Sequence, residues 1–395
     1  RFGGSLLTSD VSINNQSGKE WADNIITELK GMTNVTVKNR AQIFGYYDHN
    51  MLVMSERVTD HLPKSEEFTP KQRLWYIRAK QVVISSGSIE RPIVFGNNDT
   101  PGVVLASAAK EYMKVYGVLV GKKPVVFTNN DSAYETAIEF KKNNINPIVL
   151  DSRQDSNSEI IKEAKSLGID IKFSHVVVAA KGYKKVKSCD IAEISEDKQN
   201  LNQIKNIECD CICVSGFWTP TIHLASQSGG KTKFKEEIDA FVPDKSKQKE
   251  VTLGSANGVF TLEETLKTSF DKGFELSKAI TNNNNSQQIP KVSEKKHSKH
   301  DKFWCVPLPK GKKYKRFLDF QNDVAVSDIE LAIREGYRSI EHVKRYTTLG
   351  MATDQGKTSN LNGLQLVSNI ENKVVPAVGH TTFRPPYTPI SIGAI

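Results

Sequence analysis

Apolar residues recur at helical spacing over residues 20–30 (EWADNIITELK), and the chain then turns extended over 35–47, 52–62 and 74–84. Residues 102–116 predict a helix. Beyond it short apolar runs alternate with amphipathic ones: a strand at 124–127, a helix at 131–143, a strand ending at Asp151, a helix at 158–167 and a strand over 169–182. This βαβαβ rhythm predicts a parallel, doubly wound α/β sheet covered on both faces. CDCICVSG at 209–216 predicts a further buried strand, and 261–280 one helix. The Asn/Lys-rich stretch 281–302 has few apolar anchors and predicts a mobile linker. Two short helices follow at 327–336 and 339–347, and the last segment is extended and Pro-rich.

The 395 residues suggest two or three domains, and no apolar run is long enough to span a bilayer. The chain opens at Arg1 without a leader-like segment, which reads as an internal fragment. The net charge of +9 is concentrated. Ten Lys or Arg between Lys291 and Arg316 face only Glu294 and Asp301, leaving about +1 for the rest of the chain. A basic stretch on a linker, without groove-reading or stacking residues, argues against nucleic-acid binding. Five cysteines with no CxxC pair indicate neither a disulfide framework nor a zinc site, and they fit a reducing cytoplasm. Cys209, Cys211 and Cys213 alternate, so on one strand they share a buried face.

Three strand ends carry small residues, at 85–87, 215–216 and 254–258. Backbone stripped of Cβ atoms at such points lets a pyrophosphate approach. FGGSL (2–6), SSGSIERP (85–92) and LGSANGVF (253–260) resemble successive segments of flavoproteins with two dinucleotide-binding domains. Two departures stand out. The expected G-x-G-x-x-G turn of the second domain reads TNNDSA, with Thr128, Asn130 and Ala133 in the glycine places, and side chains at the first two obstruct a pyrophosphate. Ser255 stands where that family has the aspartate that grips a flavin ribityl chain. A dinucleotide without a ribityl chain, such as NAD, loses nothing there.

Residues 319–359 resemble bacterioferritin-associated-ferredoxin-like [2Fe–2S] domains, but the four cysteine places hold Asp319, Gln321, Asp354 and Ser359. The expectation is a retained fold with no iron–sulfur cluster and no other metal. Longer strings are more specific: FGYYDHN (44–50), VVFTNNDSAY (125–134), SGFWTPTIHLASQSGGK (215–231), EHVKRYTTLGMATDQGKTSN (341–360) and TTFRPPYTP (381–389). They resemble the alpha subunit of heterotetrameric sarcosine oxidase nearly from end to end.

That resemblance implies five parts. Residues 1–123 plus 250–281 form a first FAD/NAD-type domain lacking its opening turn, and 124–249 a second, degenerate Rossmann-like domain. Residues 282–301 are a disordered linker, 302–385 a small helical domain without its cluster, and 386–395 the lead-in to a missing folate-binding domain. It also implies NAD in this chain, FMN at the alpha–beta interface and FAD on the beta subunit. Beta, gamma and delta partners are expected, with tetrahydrofolate acting through the missing domain. The NAD contacts fall by position on Gly3, Gly4, Ile43, Ser86, Gly87, Ser255, Ala256 and Leu262, each of which also suits a turn or core place. Lys344, Arg345, Thr347, Thr348, Lys357 and Thr358 are candidates for cradling the interface FMN phosphate, or form a solvated basic helix end. No catalytic residue is assigned, and His49, His223 and His342 read as structural. A related dehydrogenase acting on proline, hydroxyproline, glycine or an opine is the alternative within the enzymes, and a non-catalytic scaffold the alternative outside them.

Overall fold

The computed structural model describes residues 2–64, 67–281 and 288–395. Two short β-branched runs far apart in sequence, Val82–Ile84 and Glu250–Thr252, lie side by side as a parallel pair, with Ile84 opposite Thr252. One side of the pair is sealed by Tyr46, Leu52, Leu224 and Ala225. Tyr46 and Leu52 belong to an antiparallel sheet of Ala41–Tyr47, Met51–Arg57 and Gln72–Arg78. The expected strand over 74–84 is therefore two strands, belonging to different sheets. Helix Gly18–Gly31 starts in a reciprocal Ser17–Glu20 capping box. It packs through Ala22 on Leu6, Ile13 and on Leu266 of helix Leu262–Thr281.

The second half holds a five-stranded, all-parallel sheet in the order Asp170–Phe173, Ile148–Asp151, Pro124–Thr128, Cys211–Ser215, Val103–Leu105. Helices Ala106–Tyr116, Ser132–Lys142 and Glu159–Ser166 bury Ala109, Ala137, Phe140 and Ile161 with Val126, Cys211 and Cys213. The opposite cluster joins Phe127 and Ile212 to Val177 and Ile191 of an antiparallel meander. That meander consists of His175–Gly182, Val186–Ile194 and Leu201–Glu208.

Two expectations change here. The Val-Val-Leu start of the expected 102–116 helix is an edge strand, because branched side chains suit the pleated edge beside Cys211–Ser215. Cys209 does not share a face with Cys211 and Cys213. Its N–H bonds Lys187 O before the sheet strand begins, so its side chain joins the meander core.

Hairpin Lys231–Lys235 with Ala240–Lys245 carries the third part. Phe241 and Val242 pack against Leu318, Ile329, Val343 and Leu364 of a ribbon and helices Val326–Arg334, Ile340–Thr347 and Asn360–Glu371. Residues 288–301, expected to be mobile linker, instead run as an extended strap over both nucleotide-type halves. Val292–Ser293 pairs with Ser12–Ile13, and polar contacts rather than apolar anchors hold the remainder. The rest of that expected linker, 282–287, lies outside the described residues. No helix among the described residues is long and apolar enough to cross a membrane.

Where the parts meet sits Arg91, only 2% exposed. Its Nε donates to Gly216 O (2.6 Å), and its Nη1 to Trp218 O and Asp239 O (3.3 Å each). The guanidinium also lies 4.1 Å from the Trp304 ring centroid. Burial lowers its pKa to about 9, although Asp239 opposes the shift. Arg91→Met removes the donor from two buried carbonyls and one part-buried one, and should cost about 3 kcal/mol or more. Arg91→Lys should fall between that variant and the parent. Urea unfolding midpoints measure both.

Candidate functional site

The carboxyl ends of the parallel pair release two glycine-bearing turns at one edge, the place where α/β sheets receive nucleotides. Leu253 N–H bonds Ile84 O at 2.9 Å, which locks the turns side by side. Gly87 (φ 79°), Gly254 (φ 63°) and Gly258 (φ 72°) are left-handed, and a Cβ built on Gly87 would lie 4.0 Å from Ser255 Oγ. Gly87 and Ser255 thus face each other. Ser86 Oγ is turned onto Thr221 O (2.8 Å), while Thr221 N–H bonds Gly87 O (3.0 Å).

Ala256 is fully buried, a core place rather than a lining one. Leu262 packs beside the Leu6–Leu266 cluster, which ties it to the turn at Gly3 (φ 105°) and Gly4 (φ 51°). Ile43 lies under the strand pair, half-buried against the cluster of Val82 and Ile84. The N–H groups of Leu262 and Glu263, which open their helix, are capped by Glu294 of the strap (2.7 and 3.3 Å).

The corresponding turn of the second half is filled by the protein itself. Asn130 Nδ2 donates to Ser215 Oγ (3.1 Å), and Asn129 Nδ2 to Asp301 O (2.7 Å). Asp131 accepts Arg153 Nη1 on one oxygen (2.8 Å) and Ser298 N–H on the other (2.6 Å). Arg153 forks onto Asp151 through Nε (3.0 Å) and Nη2 (2.7 Å), and Tyr134 OH bonds Asp151 from the far side (2.8 Å). Burial pushes the Asp131 carboxyl up, but Arg153 and the Ser298 N–H outweigh it and hold the group below 3.8.

In the third part, Asp319 ties together the two segments that carry the cysteine places. Its Oδ1 accepts the N–H groups of Gln321 (2.9 Å) and Asn322 (3.2 Å), and its Oδ2 that of Gly350 (2.8 Å). Gln321 Oε1 accepts Thr353 Oγ1 (2.9 Å), and Asp354 accepts Gly356 N–H (3.0 Å). The Ser359 hydroxyl is buried without a partner. Among the described residues no group of three or more His, Cys, Asp or Glu is placed to hold a metal ion.

Of the cationic candidates, Arg345 pairs with Glu341 (2.9 Å), and Lys357 Nζ is spent on Asp354 O (3.0 Å) and Tyr387 O (2.7 Å). Thr347 Oγ1 bonds Val343 O, and Thr348 Oγ1 bonds Thr347 O. Thr358 follows Lys357 in the same loop. Lys344 is half-buried. Burial lowers its pKa, Glu341 opposes this, and Arg384 and Arg345 lower it further.

His223, read from sequence as structural, is more unusual than that. It is 4% exposed, neither ring nitrogen has a hydrogen-bond partner, and its ring centroid lies 3.9 Å from Phe383 and 5.2 Å from Tyr387. Burial, with a smaller contribution from Lys357, lowers its pKa to about 3.

Over 99% of its length the chain superposes on 71% of L-proline dehydrogenase from P. horikoshii, with a TM-score of 0.70 and 20% identity. The fold is that of the oxidoreductases with two dinucleotide-binding domains. Within that class the sequence relationship is closer. The whole chain is 36% identical to the sarcosine oxidase subunit alpha of Rhizobium meliloti (strain 1021) and 34% identical to that of Corynebacterium sp. (strain P-1). Residues 313–395 match the family model of the sarcosine oxidase A3 domain. The chain is similar to these sarcosine oxidase alpha subunits along its whole length, and it spans 38% and 41% of the length of those two relatives.

Two outcomes follow from these geometries. Stability drawn from Asp131 is complete above its unfolded pKa and fades as pH falls through its lower folded value. Asp131→Asn should therefore lose about 1–3 kcal/mol at neutral pH and show a shallower acid limb. Thermal midpoints across the acid range test this. The His223 imidazole, held neutral by burial, should not titrate from about pH 5 upward, which its ring proton resonances report.

Proposed function

We propose that this chain is the nucleotide-holding part of an alpha subunit in a multi-subunit sarcosine oxidase. The end-to-end similarity to two such subunits carries this reading, with the facing Gly87 and Ser255 turns as its local support. In this reading NAD lies at the edge formed by Gly3, Gly4, Ser86, Gly87 and Ser255, with Ile43, Ala256 and Leu262 shaping the wall behind it. The left-handed glycines suit a pyrophosphate passing close to backbone. Ser255 offers a hydroxyl where a carboxylate would have suited a ribityl chain. NAD is then a bound group that completes this half. The second half takes no dinucleotide, because Asp131 and the strap fill its turn.

Removal of electrons from the N-methyl amine is assigned to FAD on the beta subunit, with O2 reduced to H2O2. FMN at the alpha–beta junction would bring its phosphate to Lys344, the cation of that candidate group without a hydrogen bond or close ion pair among the described residues, though Glu341 acts on it from farther off. Gamma and delta subunits complete the assembly, and a tetrahydrofolate-binding domain accepts the one-carbon unit. The five thiols are all free, which suits a reducing cytoplasm.

Mass spectrometry of small molecules released by denaturing the purified complex should find one NAD per copy of this chain, with the flavins belonging to its partner. A chain that releases flavin and no NAD overturns the assignment. Lys344→Glu should lower FMN content of the complex at least tenfold and leave NAD content unchanged, as absorbance and released nucleotides would show.

A further inference from the structure

Two lysine-rich turns, far apart in sequence, spring from one anchor point. The first, at 181–187, reads KGYKKVK and joins His175–Gly182 to Val186–Ile194. The second, at 310–315, reads KGKKYK and leads into the ribbon of the third part. Gly96 lies between their roots. Its N–H bonds Val178 O and its carbonyl accepts Ala180 N–H (2.9 Å each), and a Cβ there would meet Tyr314 Cβ at 2.7 Å and Ala179 Cβ at 2.9 Å. Asn97 bonds both roots, its N–H to Lys315 O (2.7 Å) and its Nδ2 to Ala180 O (3.2 Å). Asp190 closes the anchor, accepting Lys181 Nζ (2.8 Å) and Tyr314 OH (3.3 Å) on one oxygen.

The charge gathered here is one-sided. The two segments hold eight lysines and no acidic residue, against a net charge of +9 for the whole chain. Lys184, Lys185 and Lys187 on the first turn, and Lys310, Lys312 and Lys313 on the second, are all exposed. Nearby carboxylates are committed or few. Asp190 is spent on the anchor, Glu208 pairs with Lys123 (2.8 Å), and Asp99 adds one charge beside the first turn. Like charges collected at one place repel, so the anchor maintains an arrangement that disfavours the isolated fold. At the tip of the first turn Tyr183 is 91% exposed, a ring standing in solvent among the lysines.

We propose that the two turns form a docking surface for an acidic stretch of a partner protein, with Tyr183 as its aromatic anchor. Unopposed lysines steer an acidic surface into place, and tyrosine is favoured where interfaces concentrate their binding energy. The partner is a transient one, because this surface is charged and almost without apolar side chains, whereas permanent interfaces are more hydrophobic. Nucleic acid and anionic lipid fit less well. The two segments contain no arginine fork for phosphate and no series of rings for stacking, and Tyr183 alone is too little apolar surface to enter a bilayer. The site rests on neither the NAD nor the FMN assignment.

The test uses the chain in its native assembly. The probe is a fluorescent peptide of about a dozen residues, glutamates around a central leucine. A single-stranded oligonucleotide of equal charge and phosphatidylserine vesicles are the counter-probes. Saturable peptide binding is expected, at least tenfold tighter than either counter-probe and weakening steeply with salt. Lys184→Glu with Lys185→Glu, and Lys312→Glu with Lys313→Glu, should each weaken it tenfold or more. The same charge change on the strap, Lys291→Glu with Lys296→Glu, should leave it within about twofold, which separates this surface from net charge. Tyr183→Ala should weaken it about threefold without altering the salt dependence. Thermal midpoints confirm that each variant is folded. The proposal is overturned if the peptide does not bind, if a counter-probe binds more tightly, or if any of these folded variants behaves otherwise.

Discussion

A guanidinium sealed away from water constrains how this molecule is put together. Arg91 follows the Gly87 turn, and its side chain terminates three carbonyls, of Gly216, Trp218 and the hairpin-loop residue Asp239, under the ring of Trp304. A charge this deep is tolerated only while every one of those acceptors is in place. The backbone repeats the lesson, with Arg91 N–H on Phe217 O and Gly216 N–H on Arg91 O. The segments after Gly87 and after Ser215 and the start of the third part are thereby specified together. The glycine turns of the first half owe their relative position to the same junction, because Thr221 reaches Gly87 from the segment that Arg91 fixes.

Two turns in different parts of the chain are held by internal polar clamps. In the second half, an Asp–Arg–Asp network and a length of the protein's own chain stand at the turn that opens a Rossmann domain. In the third part, one carboxylate gathers three N–H groups and joins the ribbon to the loop carrying Gly350. The chemistry is parallel in both. Donors buried at such turns need acceptors, and aspartate supplies them in little volume.

Much of the parallel sheet was legible because its strands are continuous apolar runs with helical spacing between them. The glycine-bearing strand ends were legible for the same reason, and the structure brings Gly87 and Ser255 together from places far apart in sequence. What escaped the sequence reading is polar. The strap has almost no apolar anchors, yet Glu294, Ser298 and Asp301 secure it through partners that no local pattern reveals. Helix Asn360–Glu371 buries Asn360, Asn362, Gln365 and Ser368, which mask its amphipathic signal. His223 carries no motif, and only its surroundings distinguish it. The edge strand Val103–Leu105 was concealed by the helix it runs into.

The strap has one more consequence. Many proteins built from two nucleotide-type halves can swing one half against the other about the segments that join them, as a door turns on its hinge. Here a single length of chain is fastened to the first half at Asn14 and at the start of helix Leu262–Thr281, and to the second at Asp131 and Asn129. Any such swing has to break fastenings on one side or the other. The two halves are thereby latched to each other, and a swing of that kind would first require the strap to unfasten.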